Sequence, residues 1–154
     1  MEIVDGKMYM DQVKRLIMEY TKRLNRDLSF QHLDDELKDP AKKYTAPAGE
    51  ILVAIDEKGQ VHGMVAYHRH NEQRCEMKRL YVQPDARGEQ LGERLVLAII
   101  DRAKKAGYEE MVLDTLKPMQ AAIHLYRQHG FHECAAYYHN PFADVIYMKK
   151  DLTE

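Results

Sequence analysis

Residues 75–106, CEMKRLYVQPDARGEQLGERLVLAIIDRAKKA, constrain the fold of this chain more than any other stretch. Residues 75–82 are rich in apolar and β-favouring types and close on Leu80-Tyr81-Val82, which reads as a strand. Pro84 and Asp85 stop it, because proline donates nothing to a strand ladder. A helix is predicted from Arg87-Gly88-Glu89-Gln90-Leu91-Gly92 onward. Leu91, Leu95, Ala98, Ile99, Ala103 and Ala106 recur at helical spacing, and Gly107 is placed to end it. The first turn of such a helix carries N–H groups with no intrahelical partner and a partial positive charge. Glycines let a bulky anion approach that backbone, so the turn suits a phosphate or pyrophosphate. Many helices begin this way, and the loop alone decides nothing.

The rest of the chain supplies an order of elements. Residues 2–4 read as a short strand. Met10 to about Asn25 is a helix with Val13, Leu16, Ile17, Tyr20 and Leu24 on one face. A short helix is expected over Gln31 to Leu37, then loop from Asp39 to Gly49. Ile51–Ile55 and Val61 to about Arg69 form a hairpin around Asp56-Glu57-Lys58-Gly59-Gln60. After the central strand and its helix come a strand at Glu110–Asp114 and a helix carrying Met119, Ala122, Ile123 and Tyr126, with Pro118 near its first turn. Two closing strands are expected, Phe131 to about Tyr138 and Val145 to about Leu152. This order describes one α/β domain on a mixed sheet, and 154 residues suit a single domain.

Two segments carry a resemblance. Val82-Gln83-Pro84 through Arg87-Gly88 and Leu91-Gly92 resembles motif A of the GNAT superfamily of acyl-CoA N-acyltransferases. Arg87, Gln90 and Gly92 occupy its three defining positions, with Gln90 where the family has its middle glycine. Leu125-Tyr126-Arg127-Gln128-His129-Gly130-Phe131 resembles motif B, with a tyrosine four residues before Gly-Phe. The two stand in the family's order with a strand between them. The resemblance implies a GNAT-like α/β fold: a mixed, mostly antiparallel central sheet flanked by helices, in a single domain over 1–154. It also implies acetyl-CoA as acyl donor and a primary amine as acceptor.

What such chemistry needs follows from elementary properties. An alkylammonium of pKa ~10 must lose a proton before it attacks. The attack builds an oxyanion that needs N–H donors, and the departing thiolate gains from a proton donor. Carried over residue by residue, the backbone of Leu80, Tyr81 and Val82 would meet pantetheine as an added strand does. The amides of Arg87, Gly88, Glu89, Gln90, Leu91 and Gly92, with the Arg87 side chain, would hold the pyrophosphate. Glu76 is the candidate general base, with an ion pair to a neighbouring lysine or arginine as its other reading. Tyr126 is the candidate acid for the leaving sulfur, with helix packing as its other reading. Tyr81, Asp114 and Tyr137-Tyr138-His139-Asn140 are further candidates for the acceptor cavity. With strict alternation, Glu76, Lys78, Leu80 and Val82 share one strand face and Met77, Arg79 and Tyr81 the other; a bulge, frequent on this strand in the family, would change that.

Composition bounds the partners. A net charge of −2 offers no electrostatic footprint for nucleic acid. No apolar run approaches the ~20 residues of a membrane span, no secretory leader opens the chain, and a cytoplasmic protein is expected. The two cysteines, Cys75 and Cys134, lack metal-site spacing and read as reduced thiols. Eight histidines, among them His68, His70, His124 and His129, show no third ligand at metal-like spacing, so no metal is expected. Three readings follow: an acetyltransferase for a small amine, with amino acids among the candidates; a protein or peptide acetyltransferase; and a catalytically weak acyl-CoA-binding sensor. A homodimer is implied by the resemblance alone.

Overall fold

A computed structural model describes residues 1–153. Strand β1 (Glu2–Asp5) leads through a 3-10 turn into helix α1 (Met10–Leu24), which closes on Asn25 in the left-handed region. Short helices α2 (Leu33–Lys38) and α3 (Pro40–Tyr44) follow, then the hairpin of β2 (Gly49–Ile55) and β3 (Val61–Arg69). The central strand β4 (Arg74–Val82) precedes helix α4 (Leu91–Lys105), strand β5 (Glu110–Leu116), helix α5 (Gln120–Gln128), a two-residue strand β6 (His132–Glu133) and β7 (Val145–Asp151). The sheet runs β1-β2-β3-β4-β5-β7-β6, antiparallel throughout except for the parallel pair β4 and β5.

Both faces of this sheet are covered, which is why β2 reads as an unbroken apolar run rather than an alternating one. Leu52, Ala54, Val65, Cys75, Met77, Met111, Leu113 and Met148 pack under Leu91, Leu95, Ile99 and Ala103 of α4 and Tyr126 of α5. Ile51, Val53, Met64, Ala66 and Tyr81 pack on the opposite face against Val13, Leu16 and Ile17 of α1 and Tyr44 of α3. Each such fully buried aliphatic side chain contributes about 1.5–3 kcal/mol. No described helix is long and apolar enough to cross a membrane.

Three expectations are corrected, and one point left open, the alternation of β4, is decided. The stretch from Asp39 to Gly49 contains α3, because Pro40 sits at the first helical position, where its missing N–H costs nothing. Helix α4 starts at Leu91 rather than Arg87: Gly88 has φ 119° and Gln90 φ 54°, and neither continues a right-handed helix. Of the segment from Phe131 to Tyr138, only His132 and Glu133 pair with β7. Finally, β4 does not alternate strictly. Its register against β3 jumps from Tyr81↔Met64 to Lys78↔Ala66, an extra residue that marks a bulge, and Arg79 within it has φ 62°. Leu80 and Val82 therefore share a face with Cys75 and Met77, while Arg79 and Tyr81 turn toward the α1 side.

The bulge is held by a buried ion pair. Arg79 donates from Nε to Glu36 Oε2 at 2.8 Å, from Nη2 to Glu36 Oε1 at 3.1 Å and from Nη1 to Gln31 Oε1 at 2.9 Å. Lys43 Nζ adds a third cationic contact to Glu36 at 3.1 Å. Burial works against the charged Glu36 carboxyl, but the hydrogen bonds and charge of Arg79, with Lys43, outweigh it and hold the group down at about 2.

Glu36→Gln should thus leave two cations without their counter-ion and destabilise the fold by about 3–5 kcal/mol. Thermal melts should show a midpoint lower by roughly 10 °C; an unchanged midpoint would refute the pair's role. Because the folded carboxyl titrates below its ordinary range of about 4.5, its stabilisation is complete above that pH and is lost as pH falls toward about 2. The acid limb of the parent's stability curve should therefore flatten in the variant.

Candidate active site

Strand β5 pairs with β4 only over Arg74↔Glu110, Cys75↔Met111 and Glu76↔Val112. Beyond Glu76 the strands part, and the bulge leaves Leu80 without a strand partner on either side. The gap opens onto a groove of about 750 Å³ lined by Leu80, Tyr81, Val82, Arg87, Gly88, Gln90, Leu91 and Gly92 on one side and by Leu116 to Leu125 on the other. Eight of the nine residues assigned to acyl-CoA from the sequence thus line one surface. The exception is Glu89, whose carboxylate turns away to meet the Met1 amine at 3.2 Å. Its side chain is excluded from the groove wall.

The start of α4 fits an anion. Gln90 takes the N-cap position without capping the helix with its side chain, so the first amides of α4 face the groove unpaired. Gln90 stands in the left-handed region at φ 54°, ψ 33°, which explains why glycine suits that position; glutamine holds it at a cost of about 1 kcal/mol. At Gly92 a Cβ would project toward Leu125 Cδ2, 3.9 Å away, across the groove. Arg23 and Arg26 of the α1 end also line the groove, adding positive charge that sequence reading missed.

The groove continues inward. Tyr20, Leu24, Leu80, Leu116 and Met119 line both it and a narrow chamber of about 60 Å³ between the splayed strands. Lys78, Arg79, Asp114, Tyr126 and Phe142 complete the chamber wall. Tyr126 is 7% exposed, packs edge-on against Phe131 with ring centroids 5.8 Å apart, and makes no side-chain hydrogen bond among the described residues. Burial, and then the neighbouring Tyr20 and Asp114, push its hydroxyl above the ordinary phenol range, so it stays protonated.

The two candidate carboxylates differ in access. Asp114 lines the chamber and accepts from Tyr138 Oη and from Asn140 Nδ2 at 2.8 Å. Glu76 does not line it. It sits behind Lys78, whose Nζ is 3.9 Å from its Oε1, and accepts from Tyr137 Oη at 2.5 Å on its other oxygen. Both readings of Glu76 keep an observation: it is off the chamber wall and near Lys78, as an ion-paired carboxylate would be, and a proton could reach it by way of Tyr137, Lys78 or water.

Loop 134–144 carries the tyrosines over the site. Tyr147 Oη donates to the Tyr138 carbonyl at 2.9 Å and accepts from the Asn140 amide at 3.1 Å. Arg26 of the α1 end grips Asp144 with two hydrogen bonds, 2.8 and 2.9 Å, and lies over the Phe142 ring at 5.0 Å. Phe30 packs between Tyr138 and Phe142. His139 is exposed and forms no part of the wall. Tyr20, Lys78, Arg79, Met119 and Phe142 were missed as wall residues. The adjacent cations Lys78-Arg79 inside an apolar strand were the one visible sign. Among the described residues no group of three His, Cys, Asp or Glu side chains is arranged to hold a metal.

The chain is similar to known proteins in sequence family and in fold. Residues 11–131 match the model of the acetyltransferase (GNAT) family. An uncharacterised N-acetyltransferase of Schizosaccharomyces pombe is 46% identical over 146 residues, spanning 94% of this chain and 90% of that protein. A GNAT-family acetyltransferase structure from Staphylococcus aureus superposes at TM-score 0.80 and 19% identity over 98% of both chains. A phosphinothricin acetyltransferase from Sinorhizobium meliloti, solved in complex with AcCoA, superposes at TM-score 0.70 and 18% identity, covering 97% of this chain and 87% of that one. With its splayed central strands, its uncapped helix start and a family match over most of its length, the chain belongs to the GNAT acetyltransferase family.

Proposed function

We propose that this protein transfers an acetyl group from acetyl-CoA to the primary amine of a small molecule, by direct attack with both substrates bound. The observation that carries this reading is the continuity of groove and chamber: a surface suited to a pyrophosphate leads past an unpartnered strand edge to Tyr126 and Asp114. Acetyl-CoA supplies an acetyl thioester already activated toward amines. The amides of Leu91 and Gly92, with Arg87, hold its phosphates. The free main chain at Leu80 pairs with the pantetheine and donates to the thioester oxygen. Asp114 takes the amine proton, with Glu76 as a further acceptor behind Tyr137. Tyr126 gives a proton to the leaving sulfur.

The small volume of the chamber, with Phe142 in its wall, favours a small acceptor over a lysine side chain presented on a protein surface. Turnover of a panel of amines, amino acids, polyamines and a lysine peptide, followed by thiol release, tests the reading. Absence of release with every acceptor would favour an acyl-CoA sensor instead.

Gly92→Val should weaken CoA binding at least tenfold by calorimetry, because its side chain would stand between Leu125 and the α4 amides. Unchanged affinity would remove the phosphate site from residues 87–92.

Tyr126→Phe keeps the ring packing on Phe131 and deletes the proton donor. It should lower kcat by about 10²-fold with acetyl-CoA affinity and melting temperature nearly unchanged. Equal losses of stability and rate would assign Tyr126 to packing.

Asp114→Asn should move the acid limb of the rate profile to higher pH, since the variant depends on amine already deprotonated in solution. Glu76→Gln should move it less, because Glu76 stands behind the chamber wall. The reverse ranking would make Glu76 the base.

A further inference from the structure

Lys78 is a buried cation whose ammonium has a carboxylate near it but no hydrogen-bond acceptor among the described residues. It lies on β4 beside the bulge and lines the chamber, with its side chain 8% exposed. It makes no hydrogen bond among the described residues, and the nearest carboxylate oxygen, Glu76 Oε1, is 3.9 Å away, beyond hydrogen-bond reach. The other oxygen of Glu76 is taken by Tyr137.

The neighbouring cations are engaged. Arg79 spends three donors on Glu36 and Gln31, and Lys43 reaches Glu36. Buried donors in folded proteins are nearly always paired, and an unpaired ammonium is costly. Burial accordingly draws the Lys78 ammonium down to about 8, against the pull of Glu76. A purely structural lysine would be expected to close on Glu76.

The rest of the wall mixes apolar side chains, Leu24, Leu28, Met77 and Leu113 among them, with Tyr20, Thr115, Tyr126 and an Arg79 already engaged by Glu36. An anion entering it has Lys78 as its free partner, and an ammonium has Asp114. The two face one small space. A water-sized group needs about 10–15 Å³ of this volume, so 60 Å³ takes about four to six. An amine, an α-carbon and a carboxylate make up a group of that size.

We propose that Lys78 anchors a carboxylate of the acceptor, so that the amine acetylated here is that of a free amino acid. This rests on the acetyl-transfer reading above and names its substrate class. Lys78 binds the carboxylate, and the neighbouring amine is left between Asp114 and the strand edge at Leu80. A simple alkylamine fills the same space but leaves the Lys78 charge unmatched.

Binding and turnover test this separately. Calorimetry on the CoA-saturated protein should show amino acids binding about 10- to 100-fold more tightly than their carboxamides, the ratio expected of a hydrogen bond between charged partners. Lys78→Met should bring the two affinities together, and in kinetics it should raise KM for the acid far more than it lowers kcat. Lys78→Arg should restore part of the preference. The proposal is overturned if the parent binds carboxamides as well as acids, if it binds neither, or if Lys78→Met keeps the preference. The acid-to-amide contrast on the parent needs no variant, so a misfolded Lys78→Met leaves the test intact. Failure of every amine to release thiol would sink the transferase reading, while the binding contrast would still decide the role of Lys78.

Discussion

The site depends on one buried ion pair, between Arg79 in the middle of the central strand and Glu36 on a short helix far from it in sequence. A bulged residue at φ 62° is unfavourable for arginine, by about 1–2 kcal/mol. It persists because a planar guanidinium finds a two-pronged carboxylate contact, and Tyr20 lies 5.8 Å beneath it. Once the extra residue is in place, the rest follows mechanically. A bulge bends its strand and adds local twist, so β4 leaves β5 after Glu76. The departing edge exposes its main chain, and the gap becomes the chamber. Replacing such a pair with apolar residues is neutral for stability in many proteins; here it would also remove the contacts that hold Arg79 in the bulge.

This dependence also explains which parts of the structure were legible in the sequence. Helix α4 was clear, because Leu91, Leu95, Ile99 and Ala103 repeat at the helical period and all are buried. The hairpin was clear because Asp56 through Gly59 can only turn; the Asp56 side chain accepts from two amides in that turn. The bulge was not. A period of two assigns faces by counting, and one uncounted residue inverts every later assignment, as it did for Leu80 and Val82. The force that fixes the bulge comes from Glu36, 43 residues away, where no local pattern reaches.

Loop 134–144 failed for a similar reason. Tyr137 and Tyr138 are β-favouring side chains, yet the strand pairing ends at Glu133. The competing interactions are tertiary: Tyr137 on Glu76, Tyr138 and Asn140 on Asp114, and Arg26 on Asp144. These draw the segment across the end of the sheet instead of along it. The residues nominated for the phosphates fared better because main-chain geometry, rather than side-chain partnership, determines them; Glu89 fell outside, its side chain being free to find the Met1 amine.

Charges of both signs are balanced in and around the chamber. Glu36, Glu76 and Asp114 stand against Lys43, Lys78 and Arg79, while half-buried His68, its pKa drawn down by burial to about 4, stays neutral. Tyr137 and Tyr138 remain protonated, because burial and the carboxylates they serve both oppose their ionisation. In a region of low effective dielectric, adding a single net charge is expensive, whereas adding a matched pair is not. An ammonium entering alone would upset the balance unless it surrendered its proton on entry. That coupling is useful to an acetyltransferase, since only the neutral amine attacks. An acceptor that carries both signs enters without upsetting it and is oriented by doing so, with its carboxylate drawn to the unpaired Lys78 and its amine to the Asp114 side. The same arrangement that makes the site costly to fold therefore tells it which end of an acceptor is which.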